Sequence, residues 1–237
     1  MSESNKSIPA EFYNIMKDFT TDILTTFPEY KENLNNGLLD ILNDNNDTED
    51  VKTLFAYIKN IYPERFFDFL YQNEDMFTKD EINTEFLPNI NFSELWNQDI
   101  SENTKTIIWK YLQLVLFSVI KNEKDTNSFG DTAKLFEAIN EDDLKKKLEE
   151  AMKEMSETFN MGDSPDVSNI NQEDFPDPED LHNHINGLLE GNLGKLATEI
   201  TEETMKDLDI DMSDANSVGD IFQNLFKNPG KLMNMIK

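Results

Sequence analysis

The sequence predicts an all-α protein: an N-terminal helical bundle and a small C-terminal helical module joined by an acidic linker. Three observations lead there. Apolar residues recur at intervals of three and four along most of the 237 residues, the spacing of one-sided helices rather than the alternation of strands. Pro, Gly and short polar runs interrupt that pattern at helix-length intervals. The greasiest stretch, Ile107 to Ile120, is apolar on more than one face, as suits a helix in the middle of a bundle. With 38% hydrophobic residues and 17 Phe, the chain has the large side chains a core requires.

The first helix is expected to begin near Ser7-Ile8-Pro9, with Ser7 capping and Pro9 in the first turn, where its missing N–H is harmless. Phe12, Ile15, Met16, Phe19, Ile23, Leu24 and Phe27 form its stripe. Pro28 opens a second helix carrying Tyr30, Leu34, Leu38, Leu39, Ile41 and Leu42. A polar loop, 43–47, follows, and Asp47 or Thr48 caps a helix with Val51, Leu54, Phe55, Ile58 and Ile61 inward. Pro63 interrupts it before the aromatic run Phe66, Phe67, Phe69, Leu70 and Tyr71. Residues 77–92 read as an irregular packed connection with a short strand. Ser101 to Lys121 is the strongest helix.

Beyond Asn122 the character changes. Residues 124–130 read as a polar connection, and Leu135, Phe136 and Ile139 mark a short helix. Leu144, Leu148, Met152, Met155 and Phe159 then form a narrow stripe on a highly charged helix. These segments divide the chain into a helical bundle domain at 1–125, connecting amphipathic helices at 126–159, a linker at 160–180 and a small module at 181–237. The linker holds Gly162, Pro165, Pro176 and Pro178, with seven acidic residues and no basic one. The module is expected to contain three or four short helices separated by Gly191, Gly219 and Pro229-Gly230.

Charge and composition remove several classes of function. The net charge is −27, with −12 in residues 1–130 and −15 in the remainder, and such a field repels nucleic acid and anionic lipid. Arg65 is the single arginine, so direct nucleic-acid binding is not expected. No cysteine is present, which removes disulfides, thiolate zinc sites and cysteine nucleophiles, and fits a reducing compartment. The polar start, Met1 to Ala10, lacks an apolar signal core, and the 107–120 stretch is short for a membrane span of roughly 20 residues.

The chemistry-bearing patterns are equally spare. Asp44, Asn46, Thr48 and Asp50 alternate like a calcium loop, as do Asp207, Asp209 and Asp211. The sixth and twelfth positions, however, hold Glu49 and Phe55 in one and Met212 and Val218 in the other, where a Gly and a Glu belong. His182 and His184, at i,i+2, are expected to be surface or cap residues rather than metal ligands. No nucleophile elbow or phosphate-binding glycine loop occurs. Catalytic, cofactor-binding and metal-binding residues are therefore expected to be none. The protein-binding candidates are Ile221, Phe222, Leu225, Phe226, Leu232 and Met233, which form apolar stripes near a C-terminus with three Lys and no acid in its last eleven residues.

Two segments carry a resemblance. Phe12 to Tyr30 (FYNIMKDFTTDILTTFPEY) and Gly194 to Lys237 (GKLATEITEET, then SVGDIFQNLFKNPGKLMNMIK) cover about a quarter of the chain. They resemble an uncharacterised protein family of nucleocytoplasmic large DNA viruses, mimivirus-like and algal giant viruses among them. The resemblance implies an intracellular viral protein of the host cytoplasm or virus factory, or one packaged in virions, and it transfers no active-site residue. The run Asn228-Pro229-Gly230-Lys231-Leu232-Met233 is also similar to the short helices of stress-inducible-type co-chaperone modules, which form apolar grooves for client helices. The expected function is a non-enzymatic interaction or structural protein acting through protein–protein contacts. Alternatives are such an adaptor module, an acidic nucleic-acid mimic, or an enzyme built on an unrecognised carboxylate site.

Overall fold

The computed structural model describes residues 8–79, 82–121, 123, 127–138, 141–160 and 176–188. The chain divides into two compact units, Met1–Leu189 and Glu190–Lys237, and the second lies outside the described residues. The fold is all-α: 76% of the described residues are helical and none of them forms a strand.

Helix α1 spans Ala10–Thr26 and buries Phe12, Ile15, Met16, Phe19 and Ile23. Its N-cap is Pro9, in extended conformation with no side-chain cap bond; Ser7, the expected cap, lies outside the described residues. After Phe27 the chain does not enter a second long helix. Pro28–Asn33 is a 3-10 turn, Leu34 is extended, and α2 begins only at Asn36 and runs to Leu42. The cause is local: the Asn35 side chain accepts from the Gly37 N–H at 2.8 Å and starts the helix there. Leu39, expected in the stripe, consequently faces outward at 39% exposure.

Helix α3, Glu49–Ile61, is capped by Thr48, whose hydroxyl accepts from the Val51 N–H at 3.1 Å and donates to Asp40 at 2.7 Å. Helices α2 and α3 approach closely at Gly37. A Cβ there would sit 2.6 Å from the Asp50 carbonyl oxygen and 2.9 Å from Leu54 Cβ. Backbone cannot yield as a side-chain tip can, so Gly37→Ala is expected to destabilise the unit by about 1–3 kcal/mol. The fall in urea midpoint measures it; an unchanged midpoint would show that the helices separate freely at this point.

A 3-10 turn, Pro63–Arg65, leads into α4, Phe66–Leu70. The irregular connection is pinned by its carbonyls: Tyr57 donates to Glu85 O at 2.8 Å and Tyr62 to Phe86 O at 3.1 Å. In place of the expected short strand there is one isolated bridge, Leu87 to Ile90, across a turn with Asn89 at φ 68°. Four residues are too few to extend a ladder once Pro88 has removed a donor. Helix α5, Phe92–Trp96, follows, capped by Asn91 through the Ser93 N–H.

Helix α6, Glu102–Ile120, runs through the centre. Ser101 caps it by accepting from the Thr104 N–H at 3.1 Å, and every residue from Ile108 to Ile120 is buried. Three of these are polar. Gln113 donates to the Phe69 and Leu70 carbonyls at the end of α4, at 2.9 and 3.4 Å. Ser118 donates to Val115 O at 2.8 Å. Lys110 pairs with Glu154 at 2.5 Å.

The segment after α6 belongs to the same core. Phe129, within the stretch expected to be a polar connection, is 1% exposed and packs edge-on to Phe66 and Phe136. Thr132 donates to Glu64 O at 2.6 Å, and Gly130 adopts φ 53°, ψ −136°, a region that side chains resist, so the chain turns sharply onto the Pro63–Arg65 turn. Helix α7, Ala133–Ala138, buries Phe136 while Leu135 is 52% exposed; Ile139 lies outside the described residues. Helix α8, Glu141–Asn160, buries Leu144, Leu148, Ala151, Met152 and Met155, so these two methionines act as core filler.

Helix α9 covers 178–188. Asp177 caps it, its carboxylate accepting from the Glu179 and Asp180 N–H groups at 2.9 and 3.1 Å. Pro178 takes the first turn, where it removes no helical bond. Leu181, Ile185 and Leu188 join the hydrophobic core of the first unit. The stretch 178–180, expected within the linker, is therefore helical, and 181–188, expected to open the C-terminal module, lies in the Met1–Leu189 unit.

Candidate binding cleft between α1 and α6

Helix periodicity sets four residues of α1 and four of α6 on facing sides: Phe19, Asp22, Ile23 and Thr26 on one, Thr104, Ile107, Ile108 and Tyr111 on the other. With Thr25 and Phe27 they line a cleft of about 170 Å³. Two of these residues, Phe19 and Tyr111, stack with ring centroids 4.7 Å apart and planes 10° from parallel. Thr25 and Thr26, at the end of α1, are exposed.

The polar end of the cleft is acidic. The Tyr111 hydroxyl donates to Asp22 Oδ2 at 2.7 Å. Asp18, one turn earlier in α1, is only 3% exposed. Burial pushes the Tyr111 hydroxyl far above the ordinary phenol range, and the Asp22 charge, its hydrogen bond and the Asp18 charge push the same way. The phenol therefore stays a donor at every physiological pH. Thr21 and Thr25 spend their protons on the carbonyls of Lys17 and Thr21, each at 2.8 Å, which leaves the threonine oxygens as acceptors.

Tyr62 is likewise fully buried, and desolvation holds its hydroxyl well above the ordinary value. Stability should follow from the sign of these shifts. A phenol whose pKa is raised in the folded state favours folding fully below the unfolded value of about 10, and that contribution is lost as pH climbs beyond it. Tyrosinate absorbance is expected to show Tyr62 and Tyr111 silent through the ordinary phenol range and appearing together with loss of helix. Titration of all six tyrosines with helix intact would contradict this.

Other residues singled out by sequence are engaged structurally. In the calcium-like loop, Asp44 pairs with Lys17, Asp47 pairs with Lys52 at 3.5 Å, and Thr48 caps α3. Asp207, Asp209 and Asp211 lie outside the described residues. Among the described residues, no group of three or more His, Cys, Asp or Glu is gathered to hold a metal ion. His182, expected at the surface or in a cap, is instead 8% exposed, because α9 turns it inward beside Leu181; its ring meets Asn186 at 3.5 Å. His184 is partly buried in the same helix.

The protein-binding candidates Ile221, Phe222, Leu225, Phe226, Leu232 and Met233 lie outside the described residues. Sequence reasoning missed Asp18, Asp22 and Tyr111 as a group. The available signal was an i,i+4 pair of acids flanking the apolar stripe of α1, opposite a tyrosine in an otherwise greasy helix. No helix of the described residues is long and apolar enough to cross a membrane. Comparison with protein-family models, with curated proteins and with solved structures finds no match to this chain.

Proposed function

We propose that the chain is a non-enzymatic helical interaction protein of a large DNA virus, acting through protein–protein contacts in the host cytoplasm, the virus factory or the virion. Viral origin rests on the two resembling segments. The contact mode rests on one observation, the way charge is deployed. Lys17 of α1, Lys59 of α3, Lys110 of α6 and Lys121 just after α6 form ion pairs within the chain, with Asp44, Glu123, Glu154 and Glu11 respectively. Exposed acids, by contrast, occur from Glu29 and Glu32 through Glu49, Asp50, Glu74, Asp75 and Glu94 to Glu149, Glu150, Glu179 and Asp180. A surface with exposed acids on most of its elements complements a basic partner.

The acids occupy nearly every element rather than a row on one face. That distribution favours a general contact protein over a nucleic-acid mimic, which presents its charges in register. In the same reading the C-terminal stripes around Phe222 and Leu232 supply a second, apolar contact within an adaptor-like module beyond the acidic linker.

Chemical crosslinking of the full chain in infected cells tests the proposal. The expected result is crosslinks to a basic protein that persist at physiological salt. Their yield should fall when a lysate is brought to about 1 M salt before the crosslinker is added, since the screening length falls from about 8 to about 3 Å. Recovery of this chain alone at physiological salt would end the interaction reading.

A further inference from the structure

We infer that α8 is a strap that lifts from the Met1–Leu189 unit without the rest of that unit unfolding, and that the Lys110–Glu154 pair sets how often it does so. The inference goes beyond the interaction reading above and does not depend on it.

The apolar attachment of α8 is light for its length. Over Glu141–Glu157 the helix contains no aromatic residue, and its buried side chains are Leu144, Leu148, Ala151, Met152 and Met155. Helix α1, with 17 residues against 20, buries the rings of Phe12 and Phe19 along with Ile15, Met16 and Ile23. Attachment grows with the apolar area taken from water. An element held by two leucines, two methionines and an alanine therefore separates more readily than one held by enclosed rings, and such elements open locally.

The ion pair adjusts the balance between the seated and lifted states. With α8 seated, the Lys110 side chain is 3% exposed, whereas that of Glu154 is 53% exposed. Taking the ammonium out of water costs free energy that attraction to the carboxylate offsets only in part. Lifting α8 restores water to Lys110, so the loss of the pair is compensated in a way that the loss of an apolar contact is not. The pair thus fixes where α8 seats while adding little to how firmly it is held.

Lys110 also marks the side of α6 that faces α8, and helical spacing puts Leu114 and Phe117 on that side with it. All three are buried while α8 is seated. The strap therefore gates access to an apolar strip with a cation in it.

The test uses the absence of cysteine, which makes any introduced thiol a single reporter. Ala151→Cys places one on the inward side of α8, where Ala151 is 2% exposed, and Met155→Cys serves if that variant does not fold. Labelling of the full chain by 5,5′-dithiobis(2-nitrobenzoate) is followed in urea below the unfolding transition, each rate divided by that of the same variant unfolded. It is expected to run at least about tenfold faster than global unfolding of the same variant allows, as measured by tryptophan fluorescence. Its urea slope should be under about half the global slope, because lifting exposes little surface. Glu154→Ala should speed labelling about a hundredfold with Lys110 present, and less than about tenfold in the Lys110→Met background. Labelling at the rate and slope of global unfolding would overturn the strap. Equal acceleration by Glu154→Ala in both backgrounds would overturn the role given to the pair.

Discussion

Replacing Phe86 with alanine is expected to lower the stability of the Met1–Leu189 unit by about 3–5 kcal/mol, the range for removing a fully enclosed aromatic ring. Phe86 has no exposed surface and joins otherwise separate layers. Its ring lies 4.9 Å from Phe69, 5.5 Å from Phe92, 6.1 Å from Tyr62 and 6.3 Å from Phe77. Its own carbonyl holds the Tyr62 hydroxyl. The truncation leaves a void walled by four rings whose backbones belong to four different segments, so collapse around it is difficult. The chain offers a selective reporter: both of its tryptophans, Trp96 and Trp109, sit 5.4 Å apart in this core. Their fluorescence in urea should show a lower midpoint with an unchanged slope. A loss below about 1 kcal/mol would mean that this layer is loosely packed.

Replacing Glu154 with alanine should cost a comparable amount, about 3 kcal/mol, although Glu154 is a half-exposed residue. Its partner is the reason. The Lys110 side chain is 3% exposed in the middle of α6, and its ammonium sits 2.5 Å from the Glu154 carboxylate. Without that carboxylate the cation is stranded away from water, which penalises the folded state. The reverse substitution, Lys110→Met, keeps the stem and strands no buried charge, since the Glu154 side chain is 53% exposed, so it should cost far less. Combining it with Glu154→Ala should recover most of the loss. Equal costs for the two single substitutions would show that the pair is solvated.

How much of this was legible in the sequence varies with the range of the interaction that decides each feature. Caps at Thr48 and Ser101 and the stripes of α1, α3 and α8 are local, and the residues that produce them lie within a turn of one another. The Pro28 segment was misleading because a proline start and apolar spacing suit a helix, yet the Asn35 side chain competes for the same backbone and wins seven residues later. Phe129 looked like part of a polar loop because its partners, Phe66 and Phe136, come from two other segments. Lys110 looked like an interruption in a greasy helix, since its counter-charge lies 44 residues onward. The cleft was half legible. Spacing puts Phe19, Asp22, Ile23 and Thr26 together on α1, but α6 is apolar almost all round and gives no sign of which side faces them.

The enclosure of α6 has a consequence for synthesis on the ribosome. One side of this helix packs against α1, α3 and α4, all made before it, and another against α8, made after it. When Ile120 has been added, about 40 more residues are needed before α8 is complete. At roughly 5–20 residues per second, that is an interval of about 2–8 seconds. During it a largely apolar helical face, with an uncompensated Lys110 at its centre, waits for its cover. A nascent chain halted with α6 emerged and α8 still within the ribosome should therefore engage chaperones, whereas one halted with α8 fully emerged should release them.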